Sequence, residues 1–105
     1  MEIEYEQTYL KELYEDGKCS DKKHRFQPQV VKLYQRRVDT LMSASRKEEL
    51  FSFKSLNFEA LHGNKEGTYS IRVDMQYRLE FSLSEVGADV KVTICRLIEL
   101  SNHYR

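Results

Sequence analysis

Thr68-Tyr-Ser-Ile-Arg-Val-Asp-Met-Gln-Tyr-Arg-Leu-Glu-Phe-Ser-Leu83 alternates apolar and polar residues on both sides of a short polar break. A period of two marks strands with one buried face. Tyr69, Ile71 and Val73 therefore point inward on the first arm, and Tyr77, Leu79, Phe81 and Leu83 on the second. The arms lie close enough in the chain to form a hairpin, and matching their apolar faces requires a pairing centred on a residue. A centre at Met75 puts Arg72 directly across from Arg78, whereas a centre at Gln76 pairs Arg72 with Glu80 and Asp74 with Arg78. The second register gives an ordinary salt-bridged face. The first opposes like charges, which weakens a bare sheet but suits a face that binds a phosphodiester. Pattern alone leaves both open.

Outward from this hairpin the chain supplies more strands on one side and helices on the other. Glu85 to Asp89 reads as a glycine-containing turn into Val90–Ile98, the most apolar stretch, expected as a central strand covered on both faces. Upstream, Gly63 and Gly67 bracket a polar loop, and Leu50, Phe51, Phe53, Leu56, Phe58 and Leu61 are spread over an irregular stretch leading into a strand near 56–61. Tyr9, Leu10, Leu13 and Tyr14 recur at helical spacing over about 6–16, with Gly17 as the stop. After a basic connector (18–26), Pro28 opens a second helix to about residue 44, with Val30, Val31, Tyr34, Val38, Leu41 and Met42 on one stripe and Leu33 at its edge. Glu2–Tyr5 alternates as a short strand. The order is β-α-α-β-β-β-β. It predicts an α+β fold in which two N-terminal helices, packed as a hairpin, cover one face of a mainly antiparallel, twisted sheet of four to five strands.

The 105 residues suffice for one domain, 1–105, with its own core. No apolar run reaches the ~20 residues of a membrane helix, and the acidic start Met1-Glu-Ile-Glu-Tyr-Glu6 lacks the features of a signal peptide. A cytoplasmic protein is expected. Cys19 sits in a polar turn and Cys95 in an apolar run, so neither a disulfide framework nor a clustered metal site is expected, and no cofactor. The 17 basic and 17 acidic residues cancel, which argues mildly against a nucleic-acid binder. Their distribution is uneven: acids crowd the first 16 positions, and bases dominate from Lys18 to Arg37.

Besides the two arginines, several side chains have the chemistry for a site. Glu59, at a strand end before the glycine loop, would serve as a general base if burial raised its pKa toward neutrality; otherwise it is an exposed loop acid, and His62 beside it a turn residue. His103 titrates near neutral pH in its unperturbed state, or is an idle residue close to a chain end. Tyr104 would stack on a base or simply cover the last strand. Lys54 and Lys65 are candidate phosphate contacts or solvated charges.

Taken together, Glu59–Val73, Gln76-Tyr-Arg-Leu79 and the terminal His103-Tyr104 resemble toxins of the RelE/ParE superfamily, HigB-type and YoeB-type above all. There a Gly-x-x-x-Gly-x-aromatic-Ser-x-Arg strand and an aromatic-Arg-Leu strand precede a terminal His-Tyr. The match covers residues 56–105 closely, and 1–50 only in helix order. The resemblance implies the RelE-like fold and the toxin of a type II toxin–antitoxin system: a ribosome-dependent mRNA endonuclease, metal-independent, acting through the 2′-OH. Its partners would be the ribosome, mRNA and a cognate helix-turn-helix antitoxin, HigA-like, with DNA reached only through that antitoxin. By position, Glu59 matches the general base, Arg72 and Arg78 the phosphate-stabilising arginines, His103 the general acid and Tyr104 the aromatic beside it. HigB-type toxins tend to carry His and Lys near Glu59 and His62, so the base is open between those two. RelE-type enzymes rely on lysines, for which Lys65 is the nearby candidate. The alternative is a ParE-like toxin that binds a protein target such as gyrase without catalysis. With the resemblance added, the register that places Arg72 across from Arg78 is favoured.

Overall fold

Residues 1–102 are described by the computed structural model. The elements run β1 (Glu2–Tyr5), α1 (Thr8–Asp16), α2 (Pro28–Ser43), α3 (Glu48–Phe51), β2 (Glu59–Ala60), β3 (Tyr69–Arg72), β4 (Tyr77–Val86) and β5 (Val92–Asn102), with short helical turns at Lys22–His24, Lys54–Leu56 and Gly63–Lys65.

α1 buries Tyr9, Leu10 and Leu13, and Gly17 ends it in a left-handed conformation (φ 76°) with its N–H on the Leu13 carbonyl. Pro28 opens α2, which buries Val30, Val31, Tyr34, Val38 and Leu41. Met42, expected on that stripe, is instead 41% exposed: the helix stops one residue later, and there its sulfur meets the Tyr14 hydroxyl, at 3.6 Å. The two helices are tied by polar contacts as well as by packing. Tyr34 donates its hydroxyl proton to the Leu10 carbonyl (2.6 Å), and Gln35 Nε2 serves the carbonyls of Leu13 and Tyr14 (3.1 and 3.2 Å). The latter two are carbonyls of the last turn of α1, so the Gln35 side chain of α2 helps to cap the neighbouring helix.

The sheet has five strands in the order β1-β5-β4-β3-β2, antiparallel throughout except for β1, which lies parallel to β5. The expectation of a mainly antiparallel sheet under two helices is met, and α3 is an addition to it. The strand foreseen near 56–61 shrinks to Glu59–Ala60, because Leu56 is taken into the turn Lys54–Leu56 and buried. The last strand also differs: it spans Val92–Asn102, starting and ending later than the apolar run suggested. It is interior in the sheet yet not covered on both faces, since Arg96 is exposed and reaches Glu4 and Glu6, each at 3.4 Å. A bulge between Glu80 and Phe81 in the β4–β5 pairing leaves Ile98 without a partner, and Gln7 Nε2 takes its carbonyl at 2.7 Å.

Ile71, Leu79, Phe81, Cys95, Leu97 and Leu100 form the sheet side of the core against the helices. Tyr69, Tyr77 and Leu83 lie at its margin, half-buried. Neither cysteine is in a disulfide; burial pushes the Cys95 thiol up to about 12, and Cys19 donates its thiol proton to the His24 carbonyl (3.3 Å). No helix among the described residues is long and apolar enough to cross a membrane. The opposite face of the sheet is polar, and there the chain buries Ser70, Arg78 and Glu80.

Candidate active site

The β3–β4 hairpin centres on Met75, so Ile71 faces Leu79 and Arg72 faces Arg78. Asp74 decides between the two registers that alternation allows. Its carboxylate accepts from the amides of Gln76 (2.8 Å) and Tyr77 (2.7 Å), while the Tyr77 carbonyl takes the Val73 and Asp74 amides. An aspartate that bonds the backbone two and three residues on closes the turn at that length. The signal was present in the sequence as Asp74.

Arg78 is the most deeply buried charged residue among those described. The residue is 5% exposed; Nε donates to Ser70 Oγ (2.9 Å) and Nη2 to the carbonyls of Asn57 (2.6 Å) and Ser70 (3.4 Å). Glu59 lies 3.8 Å from Nη2, and Asn57 Nδ2 holds that carboxylate at 3.2 Å. Burial draws the guanidinium below its usual value; Glu59 opposes that shift, Arg72 adds to it and Glu80 again opposes it. An arginine remains charged under such a shift. The result is a fixed cation whose fork is oriented by Ser70 and the carbonyl of Asn57, a residue itself in the left-handed region (φ 47°).

The other expected site residues divide. Arg72 is exposed beside Arg78, its carbonyl held by Arg37 Nε at 2.7 Å. Glu59 is brought to Arg78 but is not buried, its side chain being 51% exposed; it gains a charge partner in place of the burial that sequence reasoning had asked of a base. Lys65 reaches the sheet through Glu80, with Nζ 3.1 Å from each carboxylate oxygen. His62 is exposed just ahead of the Gly63–Lys65 turn, and Lys54 is exposed on its own turn; among the described residues no hydrogen bond or ion pair joins either side chain to Arg72, Arg78 or Glu59. His103 and Tyr104 lie outside the described residues. Sequence reasoning missed Asn57, Ser70, Glu80 and Arg37. Ser70 and Glu80 alternate with buried apolar residues and so occupy the arginine face; the cover over them came from distant chain, which local pattern does not carry.

The whole fold matches that of a solved YoeB/ParE toxin from Agrobacterium tumefaciens, with a TM-score of 0.56, 99% of this chain and 100% of that one aligned, and 15% identity. That likeness gives the class of the fold, RelE/YoeB-like. At the sequence level, residues 3–93 match the family described as RelE-like toxin of type II toxin-antitoxin system HigB. Toxin HigB-1 of Vibrio cholerae serotype O1 (strain ATCC 39315 / El Tor Inaba N16961) is 37% identical over 83 residues, 77% of this chain and 82% of that protein. The chain belongs to the HigB-like toxins of type II toxin–antitoxin systems. A cognate antitoxin is thereby its partner.

Proposed function

We propose that this toxin is a ribosome-dependent mRNA endonuclease that cleaves through the 2′-OH of its substrate. The observation that carries the reading is the immobilised Arg78, set across from Arg72 with Glu59 at 3.8 Å. In-line attack of a 2′-oxygen on the adjacent phosphorus builds negative charge on the non-bridging oxygens, and pre-oriented cations lower the energy of that state most where water is excluded. Arg78 and Arg72 supply those cations. Glu59 takes the 2′-OH proton, the P–O5′ bond breaks as the 2′-O–P bond forms, and His103 gives the 5′-oxygen its proton. The products are a 2′,3′-cyclic phosphate and a 5′-hydroxyl. His62 is the second candidate for the base. Tyr104 stacks on a nucleobase beside the acid, while Lys54 and Lys65 meet flanking phosphates. The cognate antitoxin is a helix-turn-helix, HigA-like protein, and DNA is contacted through it alone.

Mapping mRNA 5′ ends in a translating extract tests the reading. Cuts within ribosome-bound codons are expected with the wild type, and their loss with R78A and with H103A. Growth arrest that persists in both variants without any cuts overturns it in favour of a protein target.

A further inference from the structure

We propose that Glu80 is a positioning residue that clamps Lys65 beside the two arginines, making the glycine loop part of the phosphate site. The inference rests on the RNA-cleavage reading above. Glu80 sits on β4, at the edge of the bulge and two residues after Arg78, on the same polar face. Same-face neighbours along a strand are about 6.5–7 Å apart at the backbone, so the carboxylate lies next to the guanidinium. It is nevertheless not bonded to it. Arg78 spends its hydrogen bonds on Ser70 and Asn57, and both Glu80 oxygens take the Lys65 ammonium at 3.1 Å.

The two partners differ in exposure in a way that a plain surface pair does not. The Glu80 side chain is 10% exposed and that of Lys65 50%. A buried carboxylate is costly without a partner, so Glu80 holds the lysine firmly while the lysine's outer part stays open. An ammonium has three protons; two serve the carboxylate, which leaves one for an incoming acceptor. Lys65 ends the Gly63–Lys65 turn, and Thr68 bonds its carbonyl through both N–H (3.1 Å) and hydroxyl, so the clamp fixes the loop as well as the ammonium. Without Glu80 the lysine is a mobile charge on a polar glycine loop. With it, the loop presents a set cation at the rim of the Arg72/Arg78 pair. The ligand class is the phosphodiester backbone of single-stranded RNA.

The test is a double-mutant cycle on mRNA cleavage by programmed ribosomes, with E80Q, K65Q and the double variant, all checked for an unchanged thermal midpoint to within a few degrees. E80Q and K65Q are each expected to slow single-turnover cleavage about tenfold, the cost of a misplaced contact, and the double variant no more than K65Q alone. A structural role for Glu80 would instead multiply the two losses. In parallel, the 15N-detected ammonium signal of Lys65, slowed in exchange by the clamp, is expected in the wild type and absent in E80Q. Wild-type cutting with E80Q unaffected, or with losses that multiply, overturns the clamp and leaves the nuclease reading standing. A wild type that makes no cuts overturns the nuclease reading and the catalytic use of the clamp together, even where the ammonium signal shows that the clamp itself exists.

Discussion

Arg78 carries a full charge in a position where 5% of the residue reaches water, with Nε on the Ser70 hydroxyl and Nη2 shared between the carbonyls of Asn57 and Ser70. A lysine there keeps the charge but cannot serve an Oγ on one side and a carbonyl on the other, because its donors radiate from a single nitrogen. R78K is therefore expected to recover little of what R78A loses, both falling at least about a hundredfold in cleavage rate, the range for removal of one oriented donor to a developing anion. Single-turnover kinetics of the two variants side by side check this, and an R78K rate within a fewfold of wild type would mean that charge alone suffices. The place of Arg78 on the polar face was legible in the sequence as an arginine opposite the apolar positions. Its burial was not, because the cover comes from Asn57, 21 residues upstream. The Arg72/Arg78 pairing was legible in Asp74, whose carboxylate closes the turn, although apolar alternation allowed two registers and charge pairing by itself leaned to the salt-bridged one.

At the scale of elements, α1, α2 and the hairpin strands follow from local periodicity, whereas α3 and the parallel β1–β5 pair do not. α3 is four residues long and depends on a side chain that caps it: Glu49 Oε2 accepts from the amides of Ser45 (2.6 Å) and Arg46 (3.1 Å). These amide bonds, Ser45 first, hold the Glu49 carboxyl below the usual carboxylate range. A depressed native value means that the unfolded chain binds the proton more readily, so the contribution is present above about pH 4.3 and is lost as pH falls through the native value. E49Q is expected to melt lower than the wild type at pH 6, with the gap closing below about pH 4; a gap constant across that range would place the effect elsewhere. The β4–β5 hairpin depends on backbone freedom at Gly87. Its φ is +109°, and a Cβ there would stand 2.1 Å from the Val90 carbonyl oxygen. G87A is expected to cost about 2 kcal/mol or more from strain and clash, measured as a lower urea midpoint at unchanged m-value. A midpoint equal to wild type would show that the hairpin tip adjusts freely.

For the molecule as a whole, zero net charge is compatible with the proposed RNA binding only if the contact is local. Two surfaces compete for that role. Lys18–Arg37 carries Lys18, Lys22, Lys23, Arg25, Lys32, Arg36 and Arg37 against Asp21 alone, and composition by itself would choose it. The sheet face offers Arg72, Arg78 and Lys65, fewer charges but two of them held in place by bonds to the protein. Each single-strand phosphate neutralised by the protein contributes about 0.7 to the slope of log affinity against log salt. The three cations of the sheet face therefore predict a slope of about −2, and engagement of the seven in the basic segment about −5. Anisotropy of a short oligonucleotide with 2′-deoxy sugars, which cannot be cleaved, titrated over a range of potassium chloride reads the slope directly. With the sheet face in charge, R72A makes the slope shallower by about 0.7, and K32A leaves it unchanged. The opposite pattern would move RNA binding onto α2. Arg37 joins the two surfaces, since its Nε holds the Arg72 carbonyl at 2.7 Å while burial, with Arg36 adding to it, draws its guanidinium below the usual value. R37A is accordingly expected to weaken binding through the placement of β3, with a slope change smaller than that of R72A.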